Sequence, residues 1–575
     1  MKSSSGNVLL AVLLSTGFWC RSQNSCDELK NALASPSSAQ KVAASGCQLS
    51  MLPESIGSLK NLVDANFSNN LLKVLPESLY DLTQLKKLNL SANQIVSLST
   101  RFGLLVNLIE LDLSSNALTK LPRPFWDLKN LQSLNVSSNQ LTEIYTGLGG
   151  LTLLKQLNLS FNQITTIPMT TGQLVLLEWL DLSNNRFTKL PDEIGNLTSL
   201  KELDIEFNQL TSLPSTLGGL KKLETFDLAK NQLTELPAAI GGLSAILYLY
   251  VDENLLKTFP QEIGKLVTLQ ALSAEGNQLE SLPEAFGDLA ALASVNLSDN
   301  QINALPQSVG RLTTLTSMDC SNNHLVAIPA TMGSMSALIK LDLSENSITE
   351  IPGTFSALKQ LRELNVNGNK LSTVSDGLGA MSGLQILQLA RNNIHTLPES
   401  FGQLTKLVDL DLTENGLTGL PASIGGLKAL DVLVLSENKI SVLPEGFCSL
   451  FNLTALSLDG NSLSSLPLAF GDLSKLSRLN LEGNALTALP LSFANLKNLT
   501  YLELDGNQIK KLPENFGELS NLMYLSLSSN LLKKLPPGFE KLTKLKFLHL
   551  QGNLLSPKEQ QRIKSIVPEG CQIEF

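Results

Sequence analysis

The chain has 575 residues, 43% of them apolar and 5% aromatic, with 43 basic against 52 acidic side chains and a formal charge of −9. That balance argues against phosphate-backbone binding as the main task, so nucleic acid is not an expected partner. Length alone suggests several domains, but a fixed internal period overrides it and makes one elongated domain the expectation.

Residues 1–22 read as a signal peptide: Lys2, the apolar run Val8–Leu14, then a small-residue exit around Cys20, Arg21 and Ser22. The run is too short to span a bilayer, and no later stretch of membrane length lacks charges, so no transmembrane segment is expected. Two alternatives stay open. One is an uncleaved terminus on a cytoplasmic protein; the other is a lipid-modified Cys20, against which the bulky Trp19 speaks.

Residues 23–53 read as an N-terminal cap helix and a degenerate first repeat. Ser25 and Glu28 have capping-box spacing, Leu29, Ala32 and Leu33 supply an apolar face, and Pro36 stops the helix. Cys26 and Cys47 are the only close cysteine pair past the signal. In an oxidising compartment a disulfide between them would pin this end. The plain alternative is that Cys47 is a free thiol in the place later taken by asparagine.

Residues 54–555 carry 22 repeats of 23 residues, marked by an asparagine from Asn70 to Asn553 without one insertion. Counted from Asn484, apolar residues fall at −8, −5, −3, +2, +5, +9 and +12 (Leu476, Leu479, Leu481, Leu486, Leu489, Phe493, Leu496), with Pro490 at +6. The pair at −5 and −3 predicts a short strand with inward leucines, leaving −6, −4 and −2 on the other face. The asparagine amides predict a buried ladder from coil to coil. Proline at +6 recurs in 19 of the 22 segments from Pro53 to Pro536 and gives up an amide where no ladder bond is needed. The residues after it return the chain through a short helical or 3₁₀ turn. In residues 556–575, Ser556, Pro557 and Glu559 open a closing helix, Pro568 ends it, and the tail from Cys571 to Phe575 is expected to lay an apolar lid over the last coil.

A repeat of this period and pattern resembles the leucine-rich repeat class. The resemblance implies an α/β solenoid, a horseshoe with a parallel β-sheet on its concave face and short helical or 3₁₀ segments on the convex face. The LPxxIGxL segments Leu190–Leu197 and Leu420–Leu427 look like Ras-group repeats, and the ending Asn553–Phe575 resembles bacterial caps of the class.

No constellation for catalysis emerges. His324, His395 and His549 lie repeats apart at different offsets, the glycine pairs sit on return loops, and Cys320 and Cys448 read as small core residues. No enzyme, metal or cofactor is expected. Information sits instead at −6, −4 and −2, which hold 19 acidic and three basic residues, a formal −16. Such a face favours basic partners, although eight of the acids stand at −4, where the strand consensus itself places Asp or Asn. Aromatic rings interrupt this face twice. Trp179, Tyr248 and Tyr250 mix with Glu202, Asp204, Glu206, Asp227 and Asp252. Tyr501, Tyr524 and Phe547 share one column on successive coils, where the closing helix or tail could instead cover them. Large rings on such a surface are candidate binding anchors. Lys510, Lys511, Lys533 and Lys534 add a basic ridge on one rim. The sequence thus predicts a monomeric, non-enzymatic binding scaffold for a protein or peptide, with a basic partner favoured, that is secreted, periplasmic or at the cell surface. A cytoplasmic Ras-group signalling scaffold and a structural adhesion protein remain as alternatives.

Overall fold

The computed structural model describes residues 22–575, so the expected signal segment, except Ser22, lies outside the described residues. The chain forms two compact units, residues up to Leu272 and residues from Ser273. Each is built from one coil repeated. A coil is a three-residue strand, such as Glu202–Asp204 or Arg478–Asn480, followed by a turn and a 3₁₀ return, such as Asp192–Asn196 or Leu491–Asn495. Where Ser375 replaces the proline, the return Asp376–Gly379 is α-helical instead. Strands pair in parallel, one repeat out of step: Trp179 with Glu202 and Asp181 with Asp204 in the first unit, Arg478 with Tyr501 and Asn480 with Glu503 in the second.

The leucine positions are the core. Leu476, Leu479, Leu481, Leu486, Phe493 and Leu496 are all buried, and each contributes about 1.5–3 kcal/mol relative to an exposed side chain. On the return side Phe470, Phe493, Phe516 and Phe539 stack in a row at centroid spacings of 6.0, 6.5 and 6.3 Å. The glycine of the IG pair is a spacing device: a Cβ on Gly195 would stand 2.2 Å from the Thr216 carbonyl of the next coil.

The asparagine ladder stitches neighbouring coils. Asn300 Oδ1 accepts from Leu279 N at 2.9 Å, and its Nδ2 donates to the carbonyls of Ala274 (2.9 Å), Leu297 (3.1 Å) and Ser298 (3.0 Å). The residue before the asparagine turns left-handed, with φ near +50° to +56° even at Ala92, Phe161, Phe207 and Lys230. That turn bears on the expected outward set. The strand ends at −4, so alternation ends there too, and −2 belongs to the turn. Ser68, Ser160, Ser183, Ser298 and Ser436, all at −2, are buried rather than outward.

The N-terminal helix runs Ser22–Ala34, so Ser25 lies inside it rather than at its cap. Glu28 does not close a capping box either: its Oε2 accepts from Ala43 N at 2.9 Å, fixing the helix to the first strand, Lys41–Ala43. Cys26 and Cys47 are joined by a disulfide. At the other end the helix Pro557–Ile566 is capped by Ser556 Oγ, which accepts from Glu559 N at 3.2 Å. Glu559 points back to the preceding coil, accepting from Leu535 N at 3.0 Å and pairing with Arg562 at 2.6 Å, while Arg562 donates to the Leu535 carbonyl at 2.8 Å. The tail departs from the expected lid. Gln572–Glu574 pairs in parallel with Phe547–His549 as one more strand, because its extended backbone satisfies the open edge of the last coil. Among the described residues no helix is long and apolar enough to cross a membrane.

Candidate binding surface

Four strands of the first unit, Trp179–Asp181, Glu202–Asp204, Thr225–Asp227 and Tyr248–Tyr250, stand in register. Their outward side chains form two rows: Trp179, Glu202, Thr225, Tyr248, and beside it Asp181, Asp204, Asp227, Tyr250. At roughly 4.8 Å per strand, Trp179 and Tyr248 are about 14 Å apart, with the acids between them. Tyr248 and Glu202 are exposed; Trp179, Asp204, Asp227, Tyr250 and Asp252 are half-buried.

The −4 acids have a structural duty first. Asp181 Oδ1 accepts from both Ser183 N (2.9 Å) and Ser183 Oγ (2.7 Å), closing the turn after the strand. Asn158 does the same for Ser160. Asp204 and Asp227 keep only the backbone half of this pattern, from Glu206 N and Ala229 N at 2.9 Å, because their coils lack the serine. Burial pushes Asp204 up to about 7, helped by Asp181, Asp227 and Glu206. It pushes Asp227 up to about 6, helped by Glu206 and Asp252. The Tyr250 hydroxyl is raised by burial and then by Asp227. The formal −16 of the face thus overstates its charge near pH 7.

Lys87 and Lys340 are already counted in that sum, and Lys230, outside the three columns, reduces it further. Lys87 pairs with Glu110 at 2.6 Å and Lys340 with Glu363 at 3.4 Å. Lys230 reaches Glu206 at 2.9 Å, so Glu206 is already partnered. The carboxylates of Asp204, Glu206 and Asp227 come within 4.8 Å of one another, and the Lys230 ammonium serves that cluster as its cation. Lys230 also lies 4.0 Å over the ring of Phe207. Phe207 and Phe161 are exposed by 47% and 57%, and neither was among the sequence candidates. Both precede the ladder asparagine in the left-handed position. The signal that could have found them is size: every other residue in that column is polar, Gly or Ala.

In the second unit the rings of Tyr501 and Tyr524 stack at 4.4 Å, 9° from parallel, and Tyr524 meets Phe547 at 6.2 Å and His549 edge-on at 5.4 Å. The Tyr501 hydroxyl donates to Glu503. Burial and Glu503 hold Tyr501 above its ordinary value, and burial raises Tyr524. The tail extends the sheet edge, and Phe547 stays 38% exposed. The structure thus brings the first group into one patch and the second into a row of mutually covered rings.

A leucine-rich repeat region model matches residues 193–281 and 260–372, and a leucine rich repeat model matches 95–141, 361–417, 410–463, 466–509 and 512–555. Two further repeat models match 129–171 and 176–197. Among solved structures the chain is similar to the plant peptide hormone receptor RGFR1 in complex with RGF2, at 30% identity over 90% of this chain and 86% of that one, TM-score 0.70. This chain belongs to the leucine-rich repeat family. The leucine-rich repeat protein is also similar to a TDR receptor (28% identity, 93% of this chain, 97% of that one, TM-score 0.70). A third similar structure is the ectodomain of the Arabidopsis receptor kinase HAESA with an N-terminally extended IDA peptide hormone (30%, 93% and 91%, TM-score 0.57). No curated protein matches its sequence.

Proposed function

We propose that this protein is a non-enzymatic scaffold whose strand face holds an extended, basic peptide or protein segment. The observation that carries this reading is the pair of aromatic walls, Trp179 on one side and Tyr248 with Tyr250 on the other, bracketing Glu202, Asp204 and Asp227. A lysine or arginine lying against either wall meets a ring face and the carboxylates beside it. The rings supply affinity, while the acids, with Asp252 at the margin, set association rate. Glu206 contributes through Lys230. The stacked Tyr501, Tyr524 and Phe547 offer a lesser contact, chiefly through Phe547. That similar structures hold peptide hormones supports the peptide reading.

The same reading makes the protein an exported monomer after loss of residues 1–22, with a cap over 23–53, Ras-group-type repeats over 54–555 and a bacterial-type closing segment over 556–575. The Cys26–Cys47 disulfide supports an oxidising compartment. A mature chain beginning near Ser22 agrees with export; one beginning at Met1 contradicts it. Binding is tested with lysine- and arginine-containing peptides selected from a random library on the immobilised full chain. Tyr250→Ala is expected to weaken a selected peptide by about 1–3 kcal/mol at any ionic strength, mainly through faster dissociation. Unchanged affinity in that variant overturns the assignment.

A further inference from the structure

Two consecutive coils of the second unit carry Lys510-Lys511 and Lys533-Lys534 at the same places, three and four residues after their ladder asparagines. No other coil has two lysines there; most have Thr or Ser. Equivalent residues of adjacent coils lie about 5 Å apart, so the four lysines share one small stretch of surface. Nearby cations are neutralised, Lys541 by Glu518 at 2.7 Å and Arg562 by Glu559 at 2.6 Å. Among the described residues none of the four lysines has an ion-pair partner. Glu559, the acid that Lys534 does influence, is committed to Arg562 and Leu535 N.

These lysines line a hollow of about 690 Å³ together with Leu531 and Leu554, which are 37% and 55% exposed. No carboxylate belongs to its lining. A recess of this size takes side chains, whereas a lipid surface needs a broad convex contact. The net charge of −9 also opposes approach to an anionic membrane, while a short ligand feels only the charges within a Debye length of about 8–10 Å.

We propose that the hollow between Lys510, Lys511, Lys533 and Lys534 is a second binding site, taking an acidic peptide segment whose carboxylates meet the lysines and whose apolar side chain rests on Leu531 and Leu554. Lysine suits this better than a fixed fork would, because its point charge follows carboxylates spaced along a flexible chain. The site is independent of the patch around Tyr250 and of opposite preference.

The test uses the full chain and a fluorescent twelve-residue peptide of Asp and Glu around a central Leu, read by anisotropy. The expected result is saturable binding that Lys511→Glu with Lys533→Glu weakens at least tenfold and that Lys73→Glu with Lys257→Glu, in distant coils, leaves unchanged. Leu554→Ser should weaken binding several-fold, and that loss should persist in 0.5 M salt. Equal binding of the Asn/Gln version of the peptide overturns the proposal, as does indifference to the Lys511/Lys533 change. Lysine-dependent sedimentation with phosphatidylserine vesicles in the absence of peptide binding overturns it in favour of a membrane. Tyr250→Ala should leave this peptide's affinity unchanged, so failure here is separable from failure of the patch.

Discussion

The two aromatic groups look alike in sequence and differ in what their rings touch. Tyr501, Tyr524 and Phe547 occupy one column on successive strands, so their faces meet, at 4.4 Å in the closest pair. Trp179 and Tyr248 occupy the same column two strands further apart than that, with Glu202 and Thr225 between them, and among the described residues neither ring meets another. A ring satisfied by its neighbour mainly supports the fold. A ring flanked by half-buried carboxylates leaves its face for something else. Spacing along the sheet, more than the count of aromatics, therefore separates a structural row from a candidate site.

Each group rides on the asparagine ladder of its own unit, and breaking such a ladder should give the largest effect. Asn300→Leu leaves the buried Leu279 N unpaired, at about 1–3 kcal/mol, and takes one of two bonds from the carbonyls of Ala274, Leu297 and Ser298, which keep Asn277 Nδ2, Asn323 Nδ2 and Gly276 N. Urea unfolding should show a large loss, with Ser294→Ala, an exposed strand position, within about 0.5 kcal/mol of the parent. Ser298 cannot serve as that control, since its hydroxyl is buried and donates to Asn296 at 2.8 Å.

The next effect belongs to the first patch alone. Asp204 stands at about 7 and Asp227 at about 6, both raised by burial, against about 3.9 in the unfolded chain. A carboxyl raised on folding favours the folded state most below its unfolded value and loses that contribution as pH rises through the folded one. Stability should therefore fall between about pH 4 and 7 on account of these groups. Asp204→Asn keeps the acceptor for Glu206 N, as Asn158 does for Ser160, and removes the charge. It should gain roughly 1–3 kcal/mol at pH 8 and nothing at pH 4, read from thermal unfolding at both values. Affinity of the parent for a basic peptide should rise across pH 6–7 as the same two groups ionise.

A smaller effect contrasts the two groups directly. Tyr524→Ala removes a ring contacted on both sides and should cost roughly 1–2 kcal/mol of stability. It should alter basic-peptide affinity much less than Tyr250→Ala does. The smallest effect is kinetic. Glu202→Lys on the exposed edge should slow association about tenfold or less at low salt, and the loss should fade in 0.5 M salt as screening shortens its reach.

Much of the scaffold could be read in advance because the 23-residue period forces one answer on strand, ladder and return alike. The orientation of −2 could not, because it depends on where a three-residue strand stops, and Ser183 and Ser298 look as outward as Asp181 and Asn296 until the turn is seen. The candidate residues were found as a column pattern, but their state was not. The raised values of Asp204 and Asp227 follow from burial beside Asp181, Glu206 and Asp252, and the Lys230–Glu206 pair follows from a left-handed turn that throws Lys230 toward the preceding coil. Cap details were hidden for a similar reason: Glu28 and Glu559 look like capping-box residues, yet each finds a tertiary amide, Ala43 N or Leu535 N.

The central claim is that Trp179, Tyr248 and Tyr250 are contact rings rather than packing. Hydroxyl-radical footprinting of the full chain, alone and with a saturating library-selected basic peptide, reads those rings directly. Oxidation of all three should drop severalfold on binding while Phe451 and Tyr145, exposed elsewhere, stay as reactive as before. Unchanged oxidation at Trp179, Tyr248 and Tyr250, with protection appearing only on the 3₁₀ returns, would contradict the account.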